Sequence, residues 1–133
     1  MKIAITSQGQ ALDSQVDSRF GRARFFIVVD TETGEFSASD NGQNLNAAQG
    51  AGIQAGKNVV DLGVEAVVTG HVGPKAFATL QAGGVKVYTG AAGPAGAEAD
   101  SAETLTVAEA IEQFKAGQLK QTNDADVEGH WVV

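Results

Sequence analysis

A chain of 133 residues falls within the size range of one domain and can bury a core without disulfide or metal staples. Hydrophobic residues make up 43% of it and aromatics only 6%, so the core must be built from Val, Ile, Leu and Ala, while 17 glycines imply tight turns or close backbone approaches. A formal charge of −7 excludes nucleic acid as a general partner, because phosphate binding needs a basic face, and the absence of cysteine excludes disulfides, zinc ribbons, thiolate-ligated iron–sulfur sites and cysteine nucleophiles.

The charge is uneven. Residues 98–133 carry eight acids and two bases, a net of −6, so residues 1–97 carry only −1 and have room for a local positive patch. Neither Met1-Lys2-Ile3 nor any later stretch has the long apolar run of a signal peptide or a membrane helix, so a cytoplasmic chain with no membrane partner is expected.

Lys2-Ile3-Ala4-Ile5-Thr6 alternates polar and apolar and predicts a strand, after which Ser7-Gln8-Gly9-Gln10 opens a polar, irregular loop. That loop runs into Asp17-Ser18-Arg19-Phe20-Gly21-Arg22-Ala23-Arg24, which holds every arginine of the chain. Three guanidinium groups at this density repel one another unless an anion lies between them, or unless they are solvated or paired with carboxylates such as Asp13, Asp17 and Asp30. On the first reading the segment is an anion site; on the second it is a solvated loop.

Arg24-Phe25-Phe26-Ile27-Val28-Val29-Asp30 is a nearly continuous apolar run, as in a strand covered on both faces. Thr31-Glu32-Thr33-Gly34 turns it into Glu35-Phe36-Ser37-Ala38-Ser39-Asp40, a hairpin partner whose alternate polar positions predict a sheet edge. After the turn signal Asn41-Gly42-Gln43-Asn44, the residues Ala47, Ala48, Ala51, Ile53, Ala55, Val59, Val60 and Leu62 mark a helix ending near Gly63. Gly50, Gly52 and Gly56 each cost about 1 kcal/mol relative to alanine inside such a helix, and close packing of the helix on a sheet, ahead of packing on a bound group, accounts for them.

Glu65-Ala66-Val67-Val68-Thr69 predicts a short buried strand, followed by the glycine-bearing loop Gly70-His71-Val72-Gly73-Pro74-Lys75 and a helix over 74–82. Gly83-Gly84 stops that helix, Val85-Lys86-Val87-Tyr88 is another strand, and Thr89-Gly90-Ala91-Ala92-Gly93-Pro94-Ala95-Gly96 is a loop expected to be mobile. Val107, Ala110, Ile111 and Phe114 recur at helical spacing and predict an amphipathic helix over 103–115, capped by Thr104 or Thr106 and stopped by Gly117. From Leu119 polarity is high until His130-Trp131-Val132-Val133, so residues 117–133 read as an acidic tail, flexible or weakly docked by its apolar end.

The order β-β-β-α-β-α-β-α predicts one α/β domain over 1–116: a five-stranded mixed sheet in the order 3-2-1-4-5, with strand 2 antiparallel and helices on the faces. The loops after Thr6 and Thr69 then leave the same edge, and the arginine segment meets the segment from Gly70 to Lys75 in one crevice. Backbone N–H groups at a helix N-terminus flanked by glycines, with His71 and Lys75 as added donors, suit an anion. Gly70-x-x-Gly73 by itself is also an ordinary turn between strand and helix, and His71 either faces the site or braces its loop.

Three motifs stand in sequence after the N-terminal Lys-Ile-Ala-Ile strand: Ser18-Arg19-Phe20-Gly21-Arg22-Ala23, Thr69-Gly70-His71-Val72-Gly73-Pro74-Lys75-Ala76 and Gly84-Val85-Lys86-Val87-Tyr88. In this the chain resembles the dinitrogenase iron-molybdenum cofactor biosynthesis family, the nitrogenase accessory factor-like proteins, over about residues 1–116. The resemblance implies a ribonuclease-H-like α/β unit that carries or stores metal–sulfur clusters and is not an enzyme. The family's cargoes include the nitrogenase cofactor, its precursors, and the molybdenum–copper sulfide cluster that the small orange protein holds without covalent ties.

Carried onto this sequence, the resemblance implies a cofactor-binding set of Ser18, Arg19, Phe20, Gly21, Arg22, Gly70, His71, Gly73 and Lys75, with His71 also the candidate metal ligand. It implies a molybdenum-containing cargo, either a molybdenum–copper sulfide or an iron-molybdenum cofactor precursor, a protein partner for delivery, and a monomeric carrier. A thiomolybdate-type cluster is an anion saturated by its own sulfides, so guanidinium, ammonium, imidazole and backbone N–H donors can hold it without cysteine. Two rival functions are weighed against this one. A nuclease on the same scaffold needs carboxylates converging on the strand ends, whereas Asp30 and Glu65 read as separate turn residues. The alternative of a nucleotide- or phosphate-binding regulatory module lacks both a Gly-x-Gly-x-x-Gly and a Gly-Lys-Ser/Thr loop.

Overall fold

The computed structural model describes residues 1–17, 19–20, 23–41, 51–89, 105–117 and 119–122. Their elements in chain order are β1 (Lys2–Ser7), β2 (Phe25–Asp30), β3 (Phe36–Asp40), α1 (Ala51–Asp61), β4 (Ala66–Val68), α2 (Pro74–Ala82), β5 (Lys86–Thr89), α3 (Val107–Lys115) and β6 (Lys120–Thr122). One sheet contains all six strands in the order β3-β2-β1-β4-β5-β6. Five of them stand in the expected order 3-2-1-4-5, with β2 antiparallel to β1 and β3, and with β1, β4 and β5 mutually parallel.

The sixth strand corrects the expectation of five. It pairs antiparallel with β5, Thr89 opposite Lys120 and Val87 opposite Thr122, inside the stretch that its polarity marked as tail. An edge strand needs only backbone partners on one side, so Lys120-Gln121-Thr122 enters the sheet without the apolar alternation that betrays a half-buried strand.

Both faces of the sheet are covered, which explains the unbroken apolar runs of β2 and β4. On one face Ala4, Phe26, Val67 and Val87 pack with Ala55 and Val59 of α1 and Ala76 and Leu80 of α2. On the other, Ile3, Ile5, Ile27, Val29, Ala66 and Val68 pack with Val107, Ala110 and Ile111 of α3. Alternation along each strand therefore sends successive side chains into two cores, and β3, which covers neither, is exposed at the edge as its serines predict.

Helix α3 starts at Thr106, whose side chain accepts from the Glu109 amide at 3.2 Å while the Glu109 carboxylate accepts from the Thr106 amide at 3.0 Å. Of the two caps the sequence offered, Thr106 is the one used. Gly117 follows the helix at φ +73°, a left-handed conformation that stops it. The loop after β1 is ordered by this helix. Val16 is fully buried, its amide donates to the Leu105 carbonyl at 2.7 Å, and the Val107 and Ala108 amides donate to Ser14 and Leu12 at 2.8 Å each.

Gly56 of α1 has a different partner from the expected sheet. A Cβ on Gly56 would lie 2.9 Å from Thr79 Cγ2 and 3.5 Å from the Ala76 carbonyl oxygen, so it is α2 that approaches closely. The predicted start of this helix near Ala47, together with Gly50, lies outside the described residues, as do most of the loop after Thr89 and the His130-Trp131-Val132-Val133 end. No helix among the described residues is long and apolar enough to cross a membrane.

Candidate functional site

Because β1 and β4 are parallel, with Ile5 opposite Val68, Thr6 and Thr69 emerge side by side at the same edge of the sheet. Their hydroxyl oxygens are 2.9 Å apart and fully buried. Thr6 Oγ1 also lies 2.6 Å from the Asp17 carbonyl oxygen, and the Thr6 carbonyl accepts from the Asp17 amide at 2.9 Å. A hydroxyl carries one proton, so Thr6 donates to Asp17 and accepts from Thr69. The chain leaving β1 thus loops out and returns to the end of the strand it left.

From there the arginine segment runs beside the loop after β4. Arg19 and His71 form a parallel bridge, and the Phe20 amide donates to the His71 carbonyl at 3.2 Å. The two segments that the topology predicts to meet do meet, through their backbones. The far end of the arginine segment is tied by Asn41, whose side-chain amide donates to the Ala23 carbonyl at 2.7 Å and whose backbone amide donates to Arg24 at 2.8 Å.

Three candidate cations share one local pattern, an exposed side chain followed by a buried anchor. Arg19 is followed by Phe20, His71 by Val72 and Lys75 by Ala76, and each anchor is 3% exposed or less. Phe20 packs its ring 5.6 Å from that of Phe26, so it holds the segment down from within the core. Gly70 is buried, and Gly73 is the N-cap of α2 in extended conformation without a side-chain cap bond, followed by Pro74. Arg19 and His71 thus lie on adjoining segments, and Lys75 follows in the first turn of α2. Ser18, Gly21 and Arg22 lie outside the described residues.

Asp17 is the acid that accompanies the arginines. Its Oδ1 accepts from the Arg19 amide at 3.0 Å and stands 4.0 Å from Arg19 Nε, with the guanidinium side chain still 60% exposed. Asp30 is at the opposite end of the sheet, where its Oδ1 accepts from the Glu32 amide at 2.8 Å and lies 3.9 Å from the Met1 ammonium. Two clefts also lie at that distant end, one of about 180 Å³ lined by Leu12, Val29, Ile111 and Lys115 and one of about 220 Å³ lined by Lys2, Glu35 and Phe36; neither includes a candidate residue. Among the described residues no three of His, Asp and Glu converge to hold a metal ion.

Thr6, Thr69 and Asn41 are supporting residues to which charge and motif reasoning gives no role, whereas Asp17 is among the carboxylates it pairs with the arginines. Thr6 and Thr69 did leave a signal, since each ends the apolar run of a buried parallel strand with a polar group.

A family model described as dinitrogenase iron-molybdenum cofactor matches residues 1–117. The chain belongs to that family. This dinitrogenase iron-molybdenum cofactor family member is similar to the orange protein of Desulfovibrio gigas, solved in its apo form: 39% identity, coverage of 94% of this chain and 95% of that one, and a TM-score of 0.82. It is similar also to a putative NifB protein from Thermotoga, 38% identical over 96% of this chain and 98% of the other with a TM-score of 0.76. An uncharacterised protein of Methanocaldococcus jannaschii is 27% identical over 123 residues, 91% of each chain. These likenesses fit the α/β sheet described above, and they extend past residue 117, the end of the family match, into the region of β6.

Proposed function

We propose that this protein binds an anionic metal–sulfur cluster for storage or delivery and performs no catalysis. The cluster is molybdenum-containing, a molybdenum–copper sulfide or an iron-molybdenum cofactor precursor. Arg19, Arg22 and Lys75 supply charge, the backbone N–H groups of Ser18, Gly21 and the Gly70-to-Gly73 turn supply directed donors, and His71 donates to a sulfide or takes an open position on a metal. The observation that carries this reading is the Arg19–His71 bridge, which joins an arginine-bearing and a histidine-bearing loop segment ahead of the α2 N-terminus. Family membership supports it, and so does the absence of cysteine, since a cluster saturated by sulfide needs hydrogen-bond donors and no thiolate. Binding belongs to the unit 1–116, acting as a cytoplasmic monomer that hands its cargo to a protein partner.

Anaerobic titration with tetrathiomolybdate and copper tests the reading. A sulfide-to-metal charge-transfer band should grow in the visible spectrum, and amide signals over 19–23 and 70–75 should move together. Those of Thr33, Gly34 and the residues of α3 should stay in place. A response at one segment alone, or spread evenly over the surface, overturns the shared site. Stabilisation by nucleotides instead of thiomolybdate would favour a phosphate-binding module.

A further inference from the structure

The segment that carries Arg19 is clamped at its base by two buried hydroxyls. Thr6 and Thr69 are fully buried, each directly after a run of buried aliphatic residues, Ile3 to Ile5 in β1 and Ala66 to Val68 in β4. Valine would fill either position with nearly the same shape and a better strand preference, whereas a buried hydroxyl is costly unless bonded. Both hydroxyls are bonded, to each other and through Thr6 to the Asp17 carbonyl, two residues before Arg19. Asp17 then turns its carboxylate onto the Arg19 amide at 3.0 Å. On the far side of Arg19, the Phe20 amide is held by His71, which is two residues beyond Thr69. Thr6 and Thr69 thus close a short circuit through Asp17, Arg19, Phe20 and His71.

We propose that Thr6 and Thr69 are positioning residues for the anion site: their buried hydroxyl bridge fixes the Arg19 backbone relative to His71 and thereby sets how tightly an anion is held between them. The proposal deepens the functional reading given above and rests on it for the identity of the ligand. An exposed arginine loses conformational freedom when it engages an anion. If its backbone is already fixed beside the second donor, less of that cost falls on the binding step. Without the bridge the two segments keep their backbone contact at Phe20 and His71 but lose the buried clamp behind it, and Arg19 samples positions from which it and His71 do not reach one ligand together.

The test uses the ¹⁵N-labelled full chain as wild type, Thr6→Val, Thr6→Ser and Thr69→Val, titrated anaerobically with tetrathiomolybdate. Thr6→Val should bind about tenfold more weakly, and Thr6→Ser, which restores the hydroxyl, should return to within about twofold of wild type. In the unliganded Thr6→Val protein the amide signals of Arg19, Phe20 and His71 should shift together, with Thr33 and Glu109 unmoved. A lowered melting temperature with unchanged affinity and unmoved amides at these three positions overturns the proposal, because a purely structural role predicts that result. Thr69→Val keeps the Thr6–Asp17 bond and serves if Thr6→Val fails to fold. It should weaken binding about threefold, and wild-type affinity in this variant likewise overturns the proposal. A wild type that binds no tetrathiomolybdate defeats the functional reading, and the unliganded spectra then still decide whether the bridge positions Arg19 against His71.

Discussion

A Cβ atom on Gly56 would stand 2.9 Å from Thr79 Cγ2, so the missing side chain lets α1 lie close on α2 at this point. Thr79 is not free to turn away, because its hydroxyl donates to the Lys75 carbonyl at 3.0 Å within the helix that opens at the candidate site. Gly56→Ala gains about 1 kcal/mol of helix propensity, but overpacking at such contacts costs about 1–3 kcal/mol, so a net loss on the order of 1 kcal/mol is expected. Chemical denaturation should show the midpoint falling. Thr79→Ser removes Cγ2 and keeps the hydroxyl, and should restore the midpoint in the double variant. A more stable Gly56→Ala protein would mean that the helices separate at no cost.

The cap of α3 should matter beyond its own helix. Thr106→Ala removes the acceptor for the Glu109 amide, a change that costs about 1 kcal/mol at helix N-caps. Thr106 also bridges to Gln15, and the next residue, Val107, donates to Ser14, so fraying of this turn loosens the loop after β1. Hydrogen exchange should quicken at Val16 as well as at Glu109. An effect confined to α3 would show that the loop holds its shape without the helix.

The legible parts of this fold are those in which a residue's neighbours along the chain decide its place. Ile3 to Ile5 alternate between two cores, Phe25 to Val29 fill both, and the tight turn at Gly34 reverses β2 into β3, so strand order follows from the hairpin and the helical crossovers. Sequence was silent where the deciding partner is remote. Nothing near Gly56 points to Thr79, and Lys120-Gln121-Thr122 has no apolar period because its place at the edge depends on the backbone of β5. The same division runs through the candidate site. The meeting of Arg19 with His71 was legible because parallel β1 and β4 release their loops at one edge, whereas the pairing of Thr6 with Thr69 needs the register of Ile5 on Val68. Phe20 shows what a motif leaves open: the resemblance implies a cofactor-binding position there, and its ring lies in the core.

Asp30 predicts a weak acid dependence at the end of the sheet away from the site. Its carboxyl is held below the ordinary 3.8, first by the Glu32 amide, against the opposing effect of partial burial, with further lowering from the Thr33 amide, the terminal ammonium and Lys2. A carboxylate whose folded pKa is depressed stabilises the fold fully above its ordinary value, and that contribution is lost as pH falls through the folded pKa. Asp30→Asn should therefore melt below wild type at about pH 6, with the difference closing below about pH 4. Because the carboxylate is exposed, the difference should be small and should shrink in salt. An equal difference at both pH values would assign the effect to something other than ionisation.

The most demanding prediction concerns the charges themselves. Charge-assisted hydrogen bonds contribute about 1.5–3 kcal/mol each, so Arg19→Ala with Arg22→Ala should weaken tetrathiomolybdate binding on the order of a hundredfold. Since the Arg19 side chain is 60% exposed, its loss should leave the melting temperature near that of wild type. A cycle of Arg19→Ala, His71→Ala and their double variant goes further. The two residues share a backbone bridge and would grip one anion, so losing either should loosen the grip of the other, and the double variant should lose less than the two single losses together by about 0.5–3 kcal/mol. The titrations must be made at one ionic strength, because screening alone changes the contribution of exposed charges. Strict additivity, with both single variants impaired, would mean that Arg19 and His71 act on separate ligands, and the site would have to be divided between the two loops.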